Sequence, residues 1–111
     1  MPVLETFRVE TNGTPGYVRL VGELDLASVR DFRVALENVS VDRGLTLDLA
    51  QLTYIDSSGL HAIVECAKQG DGDETVRIVN AGDHVMRVFQ IVGLDRDPRI
   101  VLDVGGSNGR Q

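Results

Sequence analysis

A chain of 111 residues has room for one hydrophobic core and no second domain. Its 42% apolar and 25% charged residues exclude a disordered chain, and with no Trp and 5% aromatics the core has to be aliphatic. The formal net charge of −6 excludes a broadly basic surface for nucleic acid or anionic lipid, and a lone cysteine, Cys66, excludes an internal disulfide. No stretch has the length and apolarity of a membrane span or a secretion signal, so the expected compartment is the cytoplasm, without membrane insertion.

In chain order, Phe7 to Glu10 and Tyr17 to Val21 read as strands. The Asn12-Gly13 and Pro15-Gly16 pairs between them supply turn chemistry, so they form a hairpin. Gly22-Glu23-Leu24-Asp25 reads as a turn that carries two carboxylates. From Ala27 to Val39 the apolar set Val29, Phe32, Ala35, Leu36 and Val39 lies on one helical stripe. Leu45 to Leu49 alternates like a strand, and a helix long enough to cross over precedes it, which favours parallel pairing.

A second helix, Ser57 to Gln69, buries Leu60, Ile63, Val64 and Ala67, holds Cys66 as a small buried hydrophobe, and stops at Gly70-Asp71-Gly72-Asp73. Thr75 to Val79 is a strand, His84 to Val92 a third helix with Val85, Val88, Phe89 and Val92 inward, and Gly93 its C-terminal stop. Arg99 to Val104 is a last edge strand behind Pro98. The expected fold class is α/β: a single domain over 1–111 with its core at 3–104, a frayed tail at 105–111, and a mixed sheet of about five strands with helices mainly covering one face.

Asp56-Ser57-Ser58-Gly59, between a strand and a helix, is where chemistry concentrates. It is either a capping pattern or a helix start whose free N–H groups and dipole stabilise a phosphate on a serine. A hydrolase elbow needs Gly-x-Ser-x-Gly, and Ile55 stands where its first glycine belongs; a phosphate-cradling Gly-x-x-x-x-Gly-Lys-Ser/Thr loop is absent. His61, one helical turn after Ser57, makes a Ser–His couple conceivable, but no third orienting group is identifiable and an exposed polar histidine is the simpler reading. Glu23, Asp25 and Asp56 offer carboxylates without a substrate pocket, and His61 and His84 have no metal-site spacing.

Gly22-Glu23-Leu24-Asp25 after the second strand, Leu47-Asp48-Leu49 in a central strand and Tyr54-Ile55-Asp56-Ser57-Ser58-Gly59-Leu60 at the next helix start resemble the STAS domain, and more narrowly the bacterial anti-sigma factor antagonists. The resemblance spans roughly Val3 to Val104. It implies a non-enzymatic partner switch without a cofactor of its own. The unphosphorylated protein binds an anti-sigma factor that is also a serine kinase and holds the ATP, and so frees the sigma factor. Phosphorylation ends the complex, and a PP2C-type phosphatase resets it. Ser57 matches the phosphoacceptor and Ser58 the fallback; the partner-binding positions implied are Glu23, Asp25, Asp56, Ser58, Gly59 and His61. His61 departs from the glycine that antagonists often carry there. The resemblance implies one alternative, an accessory subunit that docks the same helix face on the ATPase of an ABC-type lipid transporter without phosphorylation.

Overall fold

The computed structural model describes residues 6–39, 44–68 and 75–103. Strands β1 (Phe7–Glu10) and β2 (Tyr17–Leu24) form the hairpin; α1 (Val29–Leu36), β3 (Leu45–Ile55), α2 (Ser57–Lys68), β4 (Val76–Val79), α3 (Asp83–Ile91) and β5 (Ile100–Leu102) follow, with a 3₁₀ turn at Leu94–Arg96. The five strands lie side by side in sequence order, β1 antiparallel to β2 and every later pair parallel. Each parallel pair is joined through a helical crossover, as parallel pairing demands. This is the expected mixed sheet.

One face of the sheet presents Val18, Leu20, Leu45, Leu47, Leu49, Val76 and Ile78, all buried beneath the helices with Phe32, Ile63 and Phe89. Alternate positions on the other face, Arg8, Arg19, Thr46 and Arg77, are exposed or half-buried. The helices therefore cover one face. None of the described helices is long and apolar enough to cross a membrane.

The structure corrects several boundaries. β2 does not turn at Gly22 but continues through Leu24. Gly22 has φ +102°, and a Cβ there would sit 2.0 Å from the Thr6 carbonyl oxygen, so the strand passes β1 only as glycine. β3 runs six residues past its expected end at Leu49. Arg19 and Val21 face Asp48 and Gln51, and Gly22 and Glu23 face Leu52 and Tyr54. β3 thus carries an extra residue at each of two bulges, which breaks the alternation that marks a strand in sequence.

α1 starts at Val29 rather than Ala27 because residues 25–28 are held as a tight turn. Its expected end at Val39 falls in a tightened turn, where Asn38 and Val39 donate three residues back to Ala35 and Leu36. In α2 the buried stripe is Gly59, Ile63 and Ala67, with Leu60 and Ala62 beside it; Val64, expected inward, is half-buried. Val92, expected inward, lies past the end of α3 and is exposed, because Gly93 at φ +81° turns the chain and brings Leu94 into the core instead. The Gly70–Asp73 stop, Val104 and the expected tail lie outside the described residues.

Among the described residues one carboxylate is buried. Asp48 is 2% exposed on the polar side of the sheet. It accepts hydrogen bonds from the Tyr17 hydroxyl, the Ala50 amide at 3.0 Å and Asn80 Nδ2 at 3.2 Å, and Arg19 Nε stands 3.6 Å away, at ion-pair rather than hydrogen-bond range. Burial alone would raise its pKa; the bonds from Tyr17, Ala50 and Asn80, with the Arg19 charge, outweigh it and hold the carboxyl below the ordinary value. The same bond to Asp48 pushes the Tyr17 phenol up.

Candidate functional site

β2 and β3 run parallel and end level, Leu24 opposite Ile55, so the two loops that leave them emerge together at one edge of the sheet. The first is a turn closed on itself. Ser28, buried at 4% exposure, donates its hydroxyl to the Glu23 carbonyl at 2.7 Å and accepts the Asp25 amide at 3.0 Å. Asp25 Oδ1 accepts the amides of Ala27 at 3.0 Å and Ser28 at 3.1 Å. This leaves Leu26 at the tip, 75% exposed.

The second loop is the start of α2. Asp56 donates its amide to the Leu24 carbonyl at 3.2 Å, its Oδ1 accepts the amides of Ser58 at 2.9 Å and Gly59 at 3.1 Å, and its Oδ2 accepts the Leu26 amide at 3.3 Å. It is an N-cap that also holds the neighbouring loop. Gly59 is buried, and a Cβ on it would meet the Leu24 carbonyl oxygen at 2.7 Å, Leu24 Cγ at 2.8 Å and Ile55 Cγ1 at 2.9 Å. Only glycine lets α2 descend onto the ends of both strands.

Of the residues singled out in sequence, the structure brings Asp25, Asp56, Ser57, Ser58 and His61 to this edge. Ser57 is exposed and Ser58 half-buried, while His61 leaves 70% of its side chain in solvent. Among the described residues the Ser57 hydroxyl makes no hydrogen bond. Glu23 is exposed at the end of β2. Gly59, expected on the partner-facing surface, is instead packing. Of the two readings of the helix start, the cap is present: Asp56 Oδ1 holds the amides of Ser58 and Gly59.

Sequence reasoning missed three residues. Leu26 is hidden from pattern analysis because an exposed leucine looks like any core leucine. Arg33 of α1 bonds Glu65 of α2 at 2.8 Å, and His61 Nδ1 lies 3.9 Å from the same carboxylate. Glu65 is the third group that a Ser–His–acid series would need. At 3.9 Å it does not hydrogen-bond the imidazole, and Arg33 engages it, so this is a surface charge chain rather than a nucleophile relay. Cys66 is half-buried, packed against the core, and burial pushes its thiol up to about 11, which removes it as a nucleophile at neutral pH. No group of three metal-ligating side chains converges among the described residues.

An exposed, uncommitted hydroxyl on a backbone pinned by its neighbours can accept a group from another macromolecule without moving the fold. Known proteins carry the same architecture. The family model described as "Mlab, STAS domain" matches residues 7–104. An anti-sigma-B factor antagonist of Listeria monocytogenes serovar 1/2a is 30% identical over 93 residues, which cover 81% of this chain and 82% of that protein. The crystal structure of an anti-sigma factor antagonist from Mycobacterium paratuberculosis superposes with a TM-score of 0.71 at 22% identity, over 86% of this chain and 84% of that one. The anti-sigma factor antagonist SpoIIAA in its unphosphorylated form superposes with a TM-score of 0.59 at 19% identity, over 91% of each chain. By family model and by sequence identity, the chain belongs to the STAS-domain family, among the anti-sigma factor antagonists.

Proposed function

We propose that this protein is a phosphorylation-controlled partner switch without enzymatic activity of its own. In the unmodified state its α2 edge binds an anti-sigma factor that is also an ATP-dependent serine kinase, and the sigma factor is released. Transfer of phosphate to Ser57 ends the complex, and a PP2C-type phosphatase restores it. The observation that carries this reading is the placement of Ser57: exposed and without a hydrogen bond, on a turn that Asp56 ties to the loop at Leu26.

The energetics are adequate without a change of fold. Phosphorylation adds about 1.5–2 negative charges at pH 7. They arrive beside Asp25 and Asp56, whose Oδ1 atoms already accept backbone amides, and near exposed Glu23. An interface that closes over a neutral hydroxyl would then bury an unpaired charge at a cost of roughly 3–5 kcal/mol. About 5.5 kcal/mol moves a two-state population from 1:99 to 99:1. One modification is nearly sufficient.

The test is capture of the partner from the source cell by the unmodified chain, then incubation of the captured complex with ATP and location of the phosphate by mass spectrometry. A soluble ATP-binding kinase that labels Ser57, with labelling lost in Ser57→Ala and the complex retained, is the expected result. Undiminished labelling in Ser57→Ala would remove Ser57 as acceptor. Capture of a membrane transporter ATPase in place of a kinase would overturn the reading.

A further inference from the structure

A phosphate on Ser57 finds two amides of the helix start already engaged: Asp56 Oδ1 accepts those of Ser58 and Gly59 at 2.9 and 3.1 Å. The modified residue therefore carries its charge outward, and the nearest complement decides how much of that charge a partner meets. α2 carries two basic side chains, His61 and Lys68. Lys68 is eleven residues on from Ser57, about 16 Å along a helix that rises about 1.5 Å per residue. His61 is four residues on, on the same helix face and one turn from Ser57, a spacing at which two side chains come within reach of one another.

We infer that His61 is the intramolecular acceptor of the Ser57 phosphate: the imidazolium one helical turn along pairs with the phosphorylated side chain and partly neutralises it. The inference rests on Ser57 as the modified residue. The other charges around the ring are known. Glu65 Oε1 lies 3.9 Å from His61 Nδ1, Arg33 reaches across from α1 to bond Glu65 at 2.8 Å, and the carboxylates of Asp25 and Asp56 line the loop end. Arg33 occupies the Glu65 carboxylate, and 70% of the His61 side chain is in solvent, so the ring is free to turn to the stronger anion. Protonated His61 offsets part of the added charge and neutral His61 offsets none. The contrast between modified and unmodified faces accordingly grows as pH rises through the imidazole titration.

The full chain with phosphoserine placed at position 57 during synthesis tests this without a kinase. The His61 imidazole, followed by NMR against pH, is expected to titrate roughly half a pH unit higher in the phosphorylated chain, about a threefold gain in proton affinity. His84, at the start of α3, serves as the unmoved reference. By reciprocity the second ionisation of the phosphate falls by a similar amount, and His61→Gln abolishes that fall. Coincident His61 curves in the two chains, or a phosphate titration identical in wild type and His61→Gln, would overturn the pairing. Such a failure beside intact labelling of Ser57 by the captured kinase removes the pairing alone. A pairing seen in a chain that no kinase labels at Ser57 removes the switch alone.

Discussion

Asp56 holds Leu26. Its Oδ2 accepts the Leu26 amide at 3.3 Å while its Oδ1 caps α2, so one side chain joins two loops thirty residues apart in sequence. Ser57 and the exposed Leu26 are thereby fixed relative to one another, which lowers the ordering cost of any binding at this edge.

Replacing Asp56 with Ala removes the cap and the tie together. The expected loss is about 1–2 kcal/mol in urea unfolding, the upper part of the range for an N-cap, with Asp56→Asn retaining most of it. Equal losses in the two variants would show that the carboxylate charge, rather than its geometry, matters.

Gly59→Ala sets two effects against each other. Alanine favours a helix interior by about 1 kcal/mol over glycine. The added methyl, however, meets the Leu24 carbonyl oxygen at 2.7 Å, a backbone atom that cannot step aside, and overpacking costs about 1–3 kcal/mol. The second effect wins, so the urea midpoint of Gly59→Ala falls, and α2 shifts away from β2.

Acid should act through Asp48. Its folded pKa is depressed, so its contribution is complete above the unfolded carboxylate range and is lost as pH falls through the lower folded value. Asp48→Asn is expected to cost about 1–3 kcal/mol at pH 7 by leaving donors on Tyr17, Ala50 and Asn80 poorly matched. The difference from wild type should shrink below about pH 4, in the range where unperturbed carboxyls protonate. Tyr17 works at the other end: its folded pKa is raised, so its contribution holds below the unfolded value near 10 and fades above it. Urea midpoints across pH in the wild type, Asp48→Asn and Tyr17→Phe check both arms.

Cys66 should be slow to alkylate. With its thiol pushed up to about 11, the thiolate fraction at pH 7 is on the order of 100-fold below that of a free cysteine. Iodoacetamide labelling followed by mass should be slow in the folded chain and fast in urea; equal rates would show that the α1–α2 contact opens freely.

Much of this fold is written in local pattern. The hairpin follows from Asn12-Gly13 and Pro15-Gly16, and the helix start at Ser57 from Asp56. Burial of Asp48 was not legible, because its partners Tyr17 and Asn80 stand 31 and 32 residues away and a lone aspartate in a strand looks like a solvent-facing alternate. The far half of β3 was hidden for a related reason: Leu49, Leu52 and Ile55 point inward at a spacing of three, which matches neither a regular strand nor a helix. At the site, the position of Ser57 was legible from its neighbours. The capture of Leu26 by Asp56 and the burial of Gly59 depend on two strands ending level, and nothing within either loop announces it.

The paired irregularities in β3 also set the phase of everything after them. One inserted residue exchanges inside for outside, and the second restores the original parity, so Ile55 faces the core as it would in an unbroken strand while Leu52 has taken the inward place of Gln51 and Thr53. Deleting Thr53 would remove the second irregularity alone: Leu52, Tyr54 and Ile55 would then follow one another opposite Gly22, Glu23 and Leu24 in plain alternation, with Ile55 still turned to the core and Ser57 still at the same edge.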